Sequence, residues 1–273
     1  MYYFVHLCLL NIEKMKNLKL IIFLLFVNNI FAQFQGVVIE YREYFDTDRP
    51  IERKATLYTT AATSIYEQDY GSSKQVKPTP APDTNVVRQT FKPLVNDNVF
   101  FKIDRTTNKL ETFGYLVVEK KSKIIDDLNI KWQLLSEKKV IDDIECYKAT
   151  TNFRGRKWEA WYAPSLPYPA GPYKFGGLPG LIINLSDETK KYNFAVTKIE
   201  FLKEELYQNK FDFFKNIPYD QIQSLKEFTI EREKIISEFF ESEIRERGSE
   251  RTREKQDRKG IELIYEWEEE PKK

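Results

Sequence analysis

Carboxylates are the side chains in this sequence best placed to do chemistry, and Glu159 stands out among them. It is embedded in the aromatic strand Lys157-Trp-Glu-Ala-Trp-Tyr-Ala163. Two carboxyl groups about 5 to 10 Å apart would suit hydrolysis of a glycosidic bond, one giving a proton and the other acting as base or nucleophile. The nearest second candidate is Asp187, with Glu188 beside it. The competing reading pairs Glu159 with Arg154, Arg156 or a neighbouring lysine. Around it, Trp158, Trp161, Tyr173 and Phe175 could line an apolar or sugar-stacking groove, with Arg154 and Arg156 at its lip and Gly176 and Gly177 letting a ligand approach closely. The same rings also read as core beneath a loop, because aromatic side chains pack well against glycine and proline backbone.

Other chemistries are excluded by inventory. His6 is the only histidine and lies in a segment with the marks of a secretory leader: Lys16 and Lys19, the apolar run Leu20-Ile-Ile-Phe-Leu-Leu-Phe-Val27, then Ala32 before Gln33. We expect residues 1–32 to be removed, with 15–32 the signal peptide and 1–14 an extension ahead of the natural start at Met15. No cysteine follows the apolar run to accept a lipid, and the run is too short to span a bilayer. The mature chain would then hold no histidine, which rules out Ser-His-Asp and Cys-His catalysis and imidazole-based metal sites. It would keep a single cysteine, Cys146, read as a buried structural thiol, so no internal disulfide can form. No phosphate loop exists, since Gly176-Gly-Leu-Pro-Gly180 is not followed by Lys-Ser/Thr. No metal and no cofactor are expected.

The whole chain has a net charge of +1. Losing Glu13, Lys14, Lys16 and Lys19 with the leader brings this to about −1, a balance that speaks against nucleic acid or an anionic membrane surface as a partner.

The elements that must position these residues read as strands. Alternating runs at 36–45, 55–60, 64–67, 98–103, 109–118, 130–135, 139–141, 144–153, 157–163 and 192–201 are rich in β-branched and aromatic residues. Asp142-Asp143 and Arg154-Gly155 mark hairpin turns, and Asp126-Asp127 also reads as a turn. Residues 71–93, with Pro78-Thr-Pro-Ala-Pro82, form a Pro-rich surface loop. Residues 164–179 carry five prolines and three glycines and read as a crossing loop packed by its rings. Pro179-Gly180 is expected to make a type II turn, followed by a buried strand at 181–185. Asp220 with Gln223 resembles a capping box, and Ile222, Leu225, Phe228, Ile235, Ile236, Phe239, Phe240 and Ile244 follow helical spacing as one buried stripe. Residues 245–259 read as a charged, solvated helix end, and 264–273 as an acidic tail. The domain is thus 33–263, of α+β class and mostly antiparallel β: a curved sheet or half-barrel with a long C-terminal helix packed on it.

Several segments together resemble the GLPGLI family of exported Bacteroidetes proteins. The naming string is Gly177-Leu-Pro-Gly-Leu-Ile182, and the match extends in order through Ile130-Lys-Trp132, Cys146-Tyr-Lys-Ala-Thr-Thr151, Phe153-Arg-Gly-Arg156, Ala160-Trp-Tyr162 and Gly171-Pro-Tyr-Lys-Phe175. Lys259-Gly-Ile-Glu-Leu263 stands where the family commonly carries an Asn-Pro-Ile-Glu-Leu-like string. The resemblance implies export and a strongly curved antiparallel sheet with helices covering one side, akin to the half-barrels of lipoprotein carriers. It implies no particular reaction. The expectation is a non-enzymatic binding or assembly-assisting module whose partner is an envelope protein, lipid or glycan; the alternative is a carboxylate-dependent hydrolase acting on envelope polymers.

Overall fold

A computed structural model describes residues 36–48, 50–75, 98–117, 120–202, 204–246, 258 and 260–268. The leader, residues 76–93 of the Pro-rich loop, residues 247–257 and 259 of the charged segment and the last five residues lie outside the described residues. Thirteen strands form one sheet. In chain order they are β1 (Gly36–Phe45), β2 (Ile51–Thr59), β3 (Thr63–Gln68), β4 (Lys74–Gln75), β5 (Val99–Asp104), β6 (Lys109–Val117), β7 (Lys120–Asp127), β8 (Gln133–Ile141), β9 (Ile144–Phe153), β10 (Arg156–Ala163), β11 (Leu181–Asp187), β12 (Tyr192–Leu202) and β13 (Gln221–Ser224). The helices are α1 (Glu204–Lys215) and α2 (Leu225–Glu246).

The strand order is β13-β7-β6-β5-β3-β2-β1-β12-β11-β10-β9-β8, with β4 paired to β2. All pairs are antiparallel except β13 with β7. Two meanders, β1 to β7 and β8 to β12, are therefore joined at the β1–β12 seam. The order itself demands curvature. Ten interstrand steps separate β7 from β8, which in a flat sheet would be about 48 Å. Only residues 128–132 join them, and such a link reaches at most about 21 Å. The sheet must bend until its two flanks approach, giving an open trough with this short link as a strap; it does not close into a barrel. Leu128 N donates to Asn108 O at 2.9 Å and Thr151 Oγ1 to Lys131 O at 2.7 Å, pinning the strap to both flanks.

Alternation sends Val37, Ile39 and Tyr41 of β1, Leu57 of β2, Phe101 and Ile103 of β5 and Trp158 and Ala160 of β10 to the inner face, where they form one buried cluster. The outer face of β3, β5 and β6 is covered by α1, whose Phe214 packs with Ile65, Phe100 and Phe113. The first turns of α2 pack on the inner side of β6 and β7, where Phe228 lies against Ile124 and Gly114. Thus the long C-terminal helix packs on the sheet, but the two helices take opposite faces rather than one side. Among the described residues, no helix is long and apolar enough to cross a membrane.

Several local expectations change. The capping box is Ser224 with Glu227, whose N–H donates to Ser224 Oγ at 3.2 Å while its carboxylate accepts from Ser224 N at 2.9 Å. Asp220 and Gln223 precede it because residues 221–224 add to the sheet as β13. The helical stripe is buried at Leu225 and Phe228, with Ile235 packed alongside, but Ile222 is exposed on β13 and Phe239 is more than half exposed. The side chains of Phe240 and Ile244 lie outside the description. Residues 130–132 belong to the strap, and β8 runs unbroken from Gln133 to Ile141 with a bulge between Leu134 and Lys138. Asp126 is not in a turn but inside β7. Residues 264–268, read as part of the tail, pack onto the fold: Tyr265 and Trp267 stack at 4.5 Å beside the α2 cluster.

Candidate functional site

The crossing loop is a plug in the trough. Phe175 and Leu178 are essentially inaccessible to solvent, and Phe175 meets Trp158 at 4.7 Å, Phe153 at 5.4 Å and Trp132 at 6.1 Å between ring centres. An inserted loop must satisfy its backbone polar groups. Gly177 N donates to Pro169 O at 2.9 Å and Ile182 N to Ala170 O at 3.0 Å, while Tyr41 Oη donates to Ile182 O at 2.6 Å and Trp132 Nε1 to Gly176 O at 2.8 Å. The turn at Pro179 is tighter than type II: Gly180 N donates to Leu178 O at 2.8 Å, and Gly180 has φ +154° rather than the value near +80° that a type II turn requires. Leu181 and Ile182 lead into buried β11, and Gly177 and Pro179 form the exposed edge of the plug.

This placement resolves the two readings of the aromatic residues. Trp158 and Phe175 are core, Tyr173 packs against Phe101 at 4.9 Å, and Phe175 occupies the groove that the rings were expected to line. Nor do the arginines form a lip. Arg154, at φ +47° in the β9–β10 turn, turns inward and is buried. Its Nη1 and Nη2 meet Asp126 at 2.8 and 2.7 Å, Nη1 meets Glu262 at 2.9 Å, and Nε meets Glu266 at 3.1 Å. Lys174 of the plug joins the same group, at 3.2 Å from Asp126 and 2.8 Å from Glu262. Burial works against the charged form of Asp126, but hydrogen bonds from Arg154 and the charge of Lys174 outweigh it and hold the carboxyl below its usual range. The network ties together β7, the β9–β10 turn, the plug and the C-terminal segment.

Glu159 and Asp187 are not brought together. In the β10–β11 register Trp158 lies opposite Asp187 and Glu159 opposite Ser186, so Asp187 shares the inner face with Trp158 and Glu159 points outward. Asp187 is buried and committed: it pairs with Arg156 at 3.3 Å and accepts from Thr189 Oγ1 and from Tyr192 N at 2.9 Å. Glu159 meets Lys148 at 3.2 Å and Lys190 at 3.9 Å and accepts from Trp161 Nε1 at 3.0 Å. Burial would raise its pKa, yet the Trp161 bond and the two lysines lower it, the opposite of what a general acid requires. The recess next to it on the outer face, about 160 Å³, is lined by Lys131, Gln133, Thr150, Thr151, Asn152 and Lys157 and contains no carboxylate. Cys146 is buried with its thiol donating to Ile144 O at 3.5 Å, and burial pushes its pKa up, away from nucleophile chemistry. Among the described residues, no group of three or more His, Cys, Asp and Glu could hold a metal ion.

Two residues of this region carry no sequence signal. Asp126 was hidden in a strand two of whose inward positions, Ser122 and Asp126, are polar, and Arg105 lies in the β5–β6 turn, where an arginine is ordinarily solvated. Here its Nη2 donates to Phe175 O at 3.1 Å and approaches Ser64 Oγ at 3.4 Å, and its guanidinium lies against Gly176 where a Cβ would otherwise stand.

The chain matches no family model, and no curated protein matches it. Among solved structures it is similar to PNGF-II in two crystal forms, at 16% identity in each. TM-scores are 0.51 in the C2 form and 0.50 in the P21 form, covering 74% of this chain and 33% and 34% of PNGF-II. The chain spans about a third of that protein's length, and at this identity the likeness is one of fold.

Proposed function

We propose that this is an exported cell-envelope protein that binds a partner, or helps one assemble, at the rim of the trough where the glycine-rich plug surfaces. The partner is an envelope protein, a lipid or a glycan. One contrast in the site carries this reading. The buried carboxylates Glu43, Asp126, Asp187 and Glu262 are each held by a cation, whereas Arg105, beside the exposed edge of the plug, has no carboxylate partner among the described residues. Such a rim is suited to holding a ligand and poorly suited to moving protons. The test is a thermal-shift screen of the purified mature chain against envelope glycans, lipids and peptides. A saturable rise in Tm with one class supports the reading, and no response to any of them refutes it.

The second reading is a carboxylate-dependent hydrolase acting on envelope polymers. What favours it is the fold likeness to PNGF-II, over about a third of that protein. Against it stands the separation of Glu159 from Asp187 across the sheet. Product release from cell-wall glycans by the purified chain would establish it.

A further inference from the structure

A buried ion normally has its counter-ion, because desolvating an unpaired charge costs several kcal/mol. The inner face follows this rule closely. Glu43 is held by Arg53 and accepts from Tyr66 Oη and Gln68 Nε2, both at 2.8 Å. Arg154 and Lys174 share Asp126 and Glu262. Arg105, a part-buried residue whose Nε is shut off from solvent, is the departure. Its backbone is pinned by donation from its N–H to Ala62 O at 2.7 Å, and its side chain runs beneath the plug. There Nη2 meets two neutral acceptors, while Nε is shut off from solvent with no hydrogen-bond partner.

The carboxylate next to it in sequence is no help. Asp104 is turned into the β5–β6 turn, where it accepts from Thr106 N at 2.8 Å, Thr106 Oγ1 at 2.6 Å and Thr107 N at 3.3 Å. Tyr41 is close enough to act on Arg105, but it donates its phenol proton to Ile182 O, and burial keeps it neutral. Desolvation without a counter-charge brings the guanidinium down to about 10. The Nε–Nη edge of a guanidinium presents two parallel donors, the fork that a planar carboxylate accepts in bidentate fashion.

The plug supplies a way in. A Cβ at Gly176 would overlap the Arg105 guanidinium, so the backbone approaches the cation as closely as it can, and nothing lies within 4 Å of a Cβ built at Gly177. The Gly176–Gly177 peptide therefore faces the cation on one side and open space on the other, held at its carbonyl by Trp132 Nε1 and at its N–H by Pro169 O, at 2.8 and 2.9 Å. We propose that Arg105 is the binding site for the carboxylate group of a small acidic ligand, which reaches its Nε–Nη edge when the Gly176–Gly177 peptide moves off Trp132 Nε1 and Pro169 O. This rests on the rim being a binding site and names the chemistry the rim recognises.

Trp132 is the natural reporter. The isotope-labelled mature chain is titrated with sodium acetate, sodium glucuronate, sodium phosphate and sodium chloride at equal ionic strength, following the indole N–H resonance of Trp132, identified by its loss in Trp132→Phe. Saturable movement of that resonance and a rise in Tm with both carboxylates, but not with chloride, is the expected result. Arg105→Lys keeps the charge and removes the fork, and should weaken carboxylate binding about ten-fold or more. A Trp132 resonance that carboxylates leave in place overturns the proposal, as does equal affinity in Arg105→Lys; a response to phosphate alone overturns the carboxylate assignment. Should Arg105→Lys fail to fold, the wild-type titration decides. A hit from the envelope screen that binds Arg105→Lys unchanged would sink this subsite and leave the rim reading standing, whereas an empty screen with a saturable acetate response would do the reverse.

Discussion

Two glycines of one motif should respond to alanine by different amounts, for reasons the geometry separates. At Gly180 a Cβ would overlap the Ala163 carbonyl oxygen and sit 2.6 Å from its carbonyl carbon and 2.9 Å from Pro164 N. These are backbone atoms at the end of β10, so no side-chain rotation can make room, and the chain there must shift. Residue 180 also has φ +154°, a region L side chains rarely adopt. Backbone strain of roughly 1 to 3 kcal/mol and overpacking of roughly 1 to 3 kcal/mol combine to an expected loss of about 2 to 6 kcal/mol for Gly180→Ala. In a domain of this size each kcal/mol lowers Tm by about 2 to 4 °C, so the melting point should fall by about 4 to 24 °C. At Gly177 the added Cβ meets nothing, and the cost is that of φ +81° alone, roughly 1 to 2 kcal/mol. Both variants are melted by circular dichroism beside wild type. If Gly180→Ala melts within about 2 °C of wild type, or if Gly177→Ala is the more damaged, the account of the plug is wrong.

Asp126→Asn leaves Arg154 and Lys174 short of a buried carboxylate and should cost about 3 to 5 kcal/mol in urea unfolding. Because the folded-state pKa of Asp126 lies below its ordinary value of 3.8, its contribution is present above that pH and is lost as pH falls through the lower folded value; the acid limb of the wild-type stability curve should flatten in the variant, and an unchanged limb would remove Asp126 from the account. Glu159→Gln, on a partly exposed carboxylate paired with two lysines, should change stability by about 1 kcal/mol or less and leave ligand shifts intact. Wild-type turnover of cell-wall glycans that this substitution abolishes without lowering Tm would instead establish the hydrolase. Mass spectrometry of the protein recovered from its source cells should find its N-terminus near Gln33, and recovery only of a chain still beginning at Met15 would refute the leader assignment.

What could be read from sequence was local. Strands with apolar inward positions, such as β1 and β9, announce themselves by alternation, and Asp142-Asp143 takes the left-handed conformation that a tight hairpin needs, with φ +46° and +63°. β7 escaped because two of its inward residues are Ser122 and Asp126, buried by a network whose other members lie far along the chain. Helix α1 was legible but unread: Tyr207, Phe211 and Phe214 stand at helical spacing, and these are the rings it presents to the sheet. Arg105 could not have been found, since its meaning depends on a plug contributed from 70 residues away. Of the four rings read together, Trp158 and Tyr173 pack with Phe175 inside the trough, whereas Trp161 lies on the outer face beside Glu159 and Lys148.

The seam between the two meanders has a consequence for how the chain comes to be folded. Strands β1 to β7 pair with near neighbours in sequence and can assemble as soon as they are available, and so can β8 to β12 among themselves. The contact between β1 and β12 joins residues such as Val37 and Phe201, and it cannot form until every other strand of both meanders has emerged. Until then β1 presents a ten-residue row of unpaired backbone donors and acceptors flanked by Val37, Ile39 and Tyr41. Late, long-range zipping of this kind is slow, and it leaves an adhesive edge open during the wait. Chains interrupted before Tyr192 would keep that edge permanently, so stalls in synthesis of the second meander expose this protein to self-association.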